Sequence, residues 1–271
     1  MSSGPGDDFL SGTSGGVSGI RATSRARLDD ALADGIALAR RQSARLQRAA
    51  VNSPRRRVLV LAIERSGVPN VLAGARTELL TSRHNVRFES ADVGAQGKWE
   101  NVDELLERHP AAGSDWLLVI DDDVVLPRRF LDNFVFLAER FELRLAQPAH
   151  RRRSHAAWAV ARRRPGTVVR ETAFVEIGPV TAFHAATFEV LLPFPRLRVG
   201  WGLDAHWAAL ARARGWRLGV IDATPVRHGL RPIASAYDRT AAIEEARRFL
   251  AGRPYVPASE AQRTLVAHRT W

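Results

Sequence analysis

The sequence predicts an α/β fold, a sheet flanked by helices, and three observations carry the prediction. Val58-Leu59-Val60-Leu61-Ala62-Ile63 is a short, wholly apolar run, the pattern of a strand buried on both faces. Segments of strand and helix character alternate from there to Ala146, as in a doubly wound domain. A further apolar strand, Trp116 to Ile120, ends abruptly in Asp121-Asp122-Asp123. Ligands of such sheets bind beyond the carboxyl ends of the strands, where these three acids fall.

Residues 1–24 are rich in Gly and Ser and read as a disordered tail. Residues 25–54 read as a helix and linker, the linker being Asn52-Ser53-Pro54. Leu28, Leu32, Ile36, Ala39 and Leu46 recur at helical spacing, with Arg40, Arg41, Arg45 and Arg48 largely on other faces. Packing on the main domain is the favoured reading, because the apolar face is Ala-rich and lacks an aromatic anchor. A basic helix on a membrane surface, or pairing with another subunit, is the alternative.

Residues 55–235 form the expected main domain. After the first strand, Val68 to Ser82 reads as a helix, and Asn85 to Ser90 alternates around Val86 and Phe88 as a second strand. Asn101 to Arg108 is helical and precedes the strand at Trp116. Phe130 to Phe141 is a helix, and Leu143 to Ala146 a fourth short strand. The rhythm then breaks. Thr172 to Val180 is strand-like with Glu176 in its middle, and His184 to Leu191 is helical. Pro193-Phe194-Pro195 is a rigid turn, and Gly200-Trp201-Gly202-Leu203-Asp204 opens a helix to about Arg214. Arg217 to Ile221 is a strand, and Asp222 leads out of it to His228. Residues 236–271 read as a helical tail.

The 271 residues are 45% hydrophobic and 25% charged, an ordinary globular balance. No cysteine is present, so thiolate metal sites and disulfides are excluded, in keeping with a reducing cytoplasm. No apolar run approaches a membrane span, and residues 1–19 do not read as a signal peptide. The expected location is cytoplasmic, with peripheral contact at the inner membrane face as the variant that the basic helix allows. The formal charge is +11, and Lys98 is the only lysine among the basic residues. No zinc finger, RNP-like motif or helix-turn-helix accompanies that charge, so no nucleic-acid partner is expected.

Side chains alternate along a strand, so Asp121 and Asp123 share a side while Asp122 points elsewhere. Two carboxylates at a strand tip suit Mg²⁺ or Mn²⁺, whose shell substrate phosphates complete. A solvated acidic turn is the alternative. Gly200-Trp201-Gly202 sets an aromatic between two residues free to adopt unusual backbone angles and admit a ligand closely. Trp201 is a sugar-stacking surface or a core residue. Asp204 is a functional acid or a helix cap. His228 offers a nitrogen ligand to a metal.

In this order the motifs resemble those of GT-A glycosyltransferases. Asp121-Asp122-Asp123 is similar to their DxD motif. Gly200 to Asp204 and Arg227-His228 resemble the Gly-Trp-Gly-Gly-Glu-Asp motif and metal-binding His of the β-1,4-galactosyltransferases. Phe174 to Val180, Gly200 to Asp204 and Gly219 to Ala223 also resemble a domain family of unknown function, DUF707, found in bacteria and plants. The resemblance spans roughly Arg57 to His228. It implies a GT-A fold, a Rossmann-like mixed sheet. It also implies a metal-dependent transfer from a nucleotide-diphosphate sugar to an acceptor hydroxyl, with inversion as the expected stereochemistry. The acceptor could be a glycan, a lipid-linked molecule or a small molecule.

By the same resemblance the metal ligands are Asp121, Asp123 and His228, and the base is Asp204. The nucleotide candidates are Glu64, Arg65, Asp92, Lys98, Asp121 and Asp122. Glu176, Trp201 and Gly202 are the substrate-side candidates. Leu203-Asp204-Ala205 departs from the two consecutive acids of the galactosyltransferases, so Asp204 either has taken over as base or holds acceptor hydroxyls. A non-catalytic nucleotide-sugar binder and a nucleotidyltransferase are the rival readings.

Overall fold

The computed structural model describes residues 7–11, 19–229 and 238–271. Residues 1–6 and 12–18 of the expected disordered tail, and 230–237 at the expected domain boundary, lie outside the described residues. Helices α1 (Ile20–Ala39) and α2 (Gln42–Val51) precede the sheet. Then β1 (Arg57–Glu64), α3 (Leu72–Leu80), β2 (Asn85–Asp92), α4 (Lys98–Arg108) and β3 (Trp116–Asp121) build a three-stranded parallel unit with β1 at its centre. Alternation explains why β1 has no polar residue between its ends. Leu59, Leu61 and Ile63 enter one core, and Val58, Val60 and Ala62 enter the other.

The remaining elements are β4 (Val124–Val125), α5 (Phe130–Arg140), β5 (Leu143–His150), β6 (Val169–Thr172), β7 (Val180–His184) and α6 (Phe188–Leu191). They continue with α7 (Leu203–Arg214), β8 (Arg217–His228), α8 (Arg239–Leu250), α9 (Ala258–Ala261) and β9 (Thr264–His268). Among the described residues the nine strands form a mixed sheet in the order β2-β1-β3-β7-β5-β8-β6-β9, with β4 paired to β8 off this path. This is the α/β mixed sheet flanked by helices that the sequence predicts.

The second half departs from the sequence reading in instructive ways. The strand expected at Leu143 to Ala146 runs on to His150, parallel to β8, with a register shift at Pro148, which has no N–H to donate. Residues 173–179 are not strand. The Thr172 hydroxyl turns back to donate to the Phe174 carbonyl at 2.7 Å, and Pro179 offers no ladder donor. Residues 217–228 are a single long strand rather than a strand and an exit. The expected helical tail ends in a strand, β9, which closes the sheet edge against β6.

Two corrections concern the N-terminal region. Asp7–Phe9, expected to be disordered, forms a 3-10 turn whose Phe9 is buried. Asp7 pairs with Arg247 and Asp8 accepts from Tyr255. Helix α1 packs on the main domain, as favoured, but its leucines do not make the contact. Ala26, Asp30 and Ala33 are the buried residues. No helix among the described residues is long and apolar enough to cross a membrane.

Candidate active site

The two-residue strand β4 creates the centre of the site. It pairs antiparallel with the end of β8 in the register Val124↔His228. That pairing carries His228 to the tip of β3, where the carboxylates emerge. One ligand atom each from Asp121, Asp123 and His228 lies within 4.8 Å of the others. Ligand atoms about 2.1 Å from a shared cation stand about 3–4.2 Å apart in an octahedral shell, so a small adjustment closes the set on one ion. Two carboxylates and an imidazole fit Mn²⁺ or Mg²⁺, with the imidazole favouring the transition metal. His228 Nε2 lies 3.0 Å from Asp123 Oδ1. Burial alone would lower the His228 pKa, but the Asp123 hydrogen bond and the Asp123 and Asp121 charges outweigh it and hold it above its ordinary value.

Asp122 is not one of this trio; β3 ends at Asp121, so a turn, and not strand alternation, places Asp122 and Asp123. Asp122 is buried, accepts the Arg65 backbone N–H at 2.9 Å, and lies 3.6 Å from the Arg65 guanidinium. Lys98 Nζ sits 2.7 Å from Asp121 Oδ1 and donates to the Ile177 carbonyl at 3.0 Å. Gly178 leaves room for this pair. A Cβ there would stand 2.9 Å from Lys98 Nζ and 3.0 Å from Asp121 Oδ2.

These groups open on a cavity of about 450 Å³. Arg65, Lys98, Asp121, Asp122, Glu176, Trp201, Gly202, Asp204 and His228 all line it. Glu64 and Asp92 do not. Glu64 accepts from the Asn70 amide at 3.1 Å. Asp92 accepts the backbone N–H groups of Ser66 at 3.1 Å and Gly94 at 3.0 Å, tying together the loops that follow β1 and β2.

Asp204 is the second residue of α7, and Gly202 occupies the cap position at φ 88°. Asp204 therefore does not cap the helix from outside. It is buried, and one oxygen accepts the Ala205 N–H at 2.9 Å. Burial raises its pKa to about 7. The Ala205 and Ile177 backbone hydrogen bonds oppose the rise, and the Glu176 charge adds to it. Glu176 is itself buried, 2.9 Å from His150 Nε2, and accepts the Trp158 N–H at 2.9 Å. Trp201 is half-buried, and the Arg239 guanidinium lies 5.8 Å from its ring centroid.

The glycines of the Gly-Trp-Gly run do different work. A Cβ on Gly200 would stand 2.1 Å from Trp99 Cδ1, so Gly200 makes room for a core indole rather than for a ligand. Trp99 packs edge-on against Phe194 and Trp207 at centroid distances of 4.9 and 5.3 Å. Only Gly202 of the two faces the cavity.

His150, His155 and Trp158 line the cavity and were missed in the sequence. His150 ends a strand that the apolar pattern seemed to end at Ala146, and the arginine run beyond it masks the signal. Its Nδ1 is buried with no hydrogen-bond partner among the described residues. Phe9 and Leu10, from the N-terminal turn, complete one wall. No sequence signal links them to a site so distant in the chain.

No family model matches the chain and no curated protein matches it, so the motif resemblances rest on the residues quoted for them. Solved structures do match. A mannosyltransferase from Pyrobaculum calidifontis, PcManGT, in complex with GDP-Man and Mn²⁺, is 16% identical. The match covers 86% of this chain and 79% of that one, with a TM-score of 0.50. A197 from STIV matches at 12% identity over 65% of this chain and 86% of that one, TM-score 0.47. GalNAc-T7 with UDP, GalNAc and Mn²⁺ matches at 10% identity over 67% and 45%, TM-score 0.47. The chain has the GT-A fold, as the likeness to the mannosyltransferase shows.

Proposed function

We propose that this protein is a metal-dependent glycosyltransferase that moves a sugar from a nucleotide-diphosphate sugar to an acceptor hydroxyl. The observation that carries the reading is a cavity that two kinds of group share. Asp121 and His228, which with Asp123 make the three-ligand group, line it, and so does the buried Asp204 with a pKa of about 7. A divalent cation held by the three ligands would offset the charge that builds on the leaving diphosphate. Lys98 brings a second, permanent positive charge beside Asp121 and would turn from it to a phosphate oxygen.

Arg65 and Asp122 shape the nucleotide end, while Asp92 and Glu64 hold the loops that border it and act through them. Asp204 takes the proton of the acceptor hydroxyl. A pKa near the working pH suits a general base, which must be ionised yet still basic. Burial sets the raised pKa of Asp204, and Glu176, fixed by His150 and by the Trp158 N–H, adds to it. Trp201 offers its ring to a sugar face. A lone base acting on the acceptor suits direct displacement with inversion at the anomeric carbon.

The test is calorimetry of the full chain with Mn²⁺ and then with UDP or GDP, followed by product analysis with nucleotide sugars. The expected result is metal-dependent nucleotide binding that Asp123→Ala abolishes, and release of a nucleoside diphosphate. Unimpaired Mn²⁺ and nucleotide binding by Asp123→Ala would remove the metal assignment. Release of pyrophosphate from a nucleoside triphosphate would point to nucleotidyl transfer instead.

A further inference from the structure

Helix α1 is seated in an unusual way. Its buried face is Ala26, Asp30 and Ala33, and the two acids of that side are engaged by the protein body. Asp30 accepts the backbone N–H groups of Arg152 at 2.8 Å and Arg153 at 3.1 Å. Asp34 pairs with Arg151 at 2.9 Å and Arg163 at 2.6 Å. Polar contacts hold the helix down, and its large apolar residues are left outside. Ile20 is 87% exposed, Leu28 64%, Leu32 66% and Leu38 79%. Isolated exposed leucines are ordinary, but these fall on one arc. Leu28, Leu32 and Ile36 follow at four-residue spacing, and Ile20 and Leu38 flank that row.

The same arc carries arginines. Arg21 and Arg25 lie seven residues before Leu28 and Leu32, on the same face, while Arg40 at the helix end is turned to the Gly166 carbonyl at 3.3 Å. Of the three acids of α1, Asp30 and Asp34 are spent on the inner face, which leaves the half-buried Asp29, four residues after Arg25, against these arginines. We infer that the outer face of α1 is a docking surface for a membrane carrying anionic lipids. Apolar side chains interleaved with arginines on an outward helix face match what such an interface takes: acyl chains below and anionic headgroups beside. A second copy of this chain fits less well. A symmetric contact would set arginine-bearing faces of a +11 protein against each other.

The position of the helix gives the attachment a use. The loop that seats α1, Arg151 to Arg153, continues directly into His155, Ala156 and Trp158 of the cavity wall. A helix lying on a lipid surface therefore holds that wall one loop away from it. The inference does not depend on which reaction the cavity supports.

Flotation with vesicles tests it, using the full chain and phosphatidylcholine vesicles with and without phosphatidylglycerol. The unaltered chain should bind the anionic vesicles and not the neutral ones, with affinity falling as salt rises. Leu28→Glu with Leu32→Glu should weaken binding about tenfold or more, and Arg21→Ala with Arg25→Ala should flatten the salt dependence. Both pairs should keep the wild-type melting temperature, because the side chains are exposed. Failure of the unaltered chain to bind anionic vesicles would overturn the inference, as would undiminished binding by the leucine pair. A dimer in light scattering that the leucine pair dissociates would assign the face to self-association and overturn it too.

Discussion

Asp222 and Asp204 are both buried carboxylates, but their surroundings are opposite. Asp222 receives the Arg170 guanidinium through two bonds, at 2.8 and 3.0 Å, the Thr167 hydroxyl at 2.6 Å and the Arg164 N–H at 2.9 Å. Arg170 in turn donates to the carbonyls of Val160 and Arg162. Every part of that charge pair is answered. Asp204 is held by backbone N–H groups, and among the described residues no cation pairs with it; the charge next to it is Glu176, of its own sign. A buried acid that is fully paired fixes the fold, here joining β6 to β8. A buried acid left short of positive charge costs stability, and a fold keeps it where chemistry needs a proton acceptor.

Substitution at Asp204 should have the largest effect. Asp204→Asn keeps the shape and removes the proposed base, and should lower turnover about 10²–10⁴-fold with nucleotide binding unchanged. A raised acceptor KM with a smaller loss of turnover would mean that Asp204 holds hydroxyls rather than moving a proton. Wild-type kinetics would erase the distinction between the two acids.

At Asp222 the expected loss is structural. Asp222→Asn strands the Arg170 charge and should cost about 3–5 kcal/mol, a fall of roughly 10 °C in melting temperature. A stable Asp222→Asn protein would break the comparison from the other side.

The pH dependence of stability sharpens it further. The folded Asp204 pKa, about 7, exceeds the ordinary aspartate value of 3.8. The folded state thus binds more protons than the unfolded one between those values, and stability falls as pH rises through that window. The full cost, of order 4 kcal/mol, applies above pH 7. Asp204→Asn should accordingly be more stable than the parent at pH 8 and equal to it near pH 4, as read by thermal melts. The smallest change is Thr167→Val, which removes one hydrogen bond to Asp222 and should cost about 1.5–3 kcal/mol without affecting turnover.

The two regions also differ in what the sequence discloses. The parallel unit of β1, β2 and β3 was legible because its signals are local: an unbroken apolar run for β1 and three acids at the tip of β3. Alternation named the pair Asp121 and Asp123, but the strand stops at Asp121 and a turn brings Asp123 to it. The other half is built by long-range pairing. Nothing near Thr264 announces that β9 will close the sheet edge, and nothing near His150 announces its contact with Glu176. Asp222 read as the residue leading out of a strand, since its partner Arg170 lies in a different element. Gly200 drew notice for the right backbone freedom and the wrong neighbour, because the indole that fills its missing side chain comes from α4.

The turn at Asp7–Phe9 has a kinetic consequence. Its contact with α8 closes a loop that runs almost the whole chain, and its ion pair to Arg247 is about half exposed, so that pair contributes at most about 1 kcal/mol. Burial of Phe9 supplies most of the hold, about 1.5–3 kcal/mol. That is far less than the cost of opening β1 or β3, so residues 7–11 should release while the sheet stays intact. One wall of the cavity is then its least protected part. Amide exchange at 7–11 should run well ahead of that in the central strands and slow when the cavity is filled.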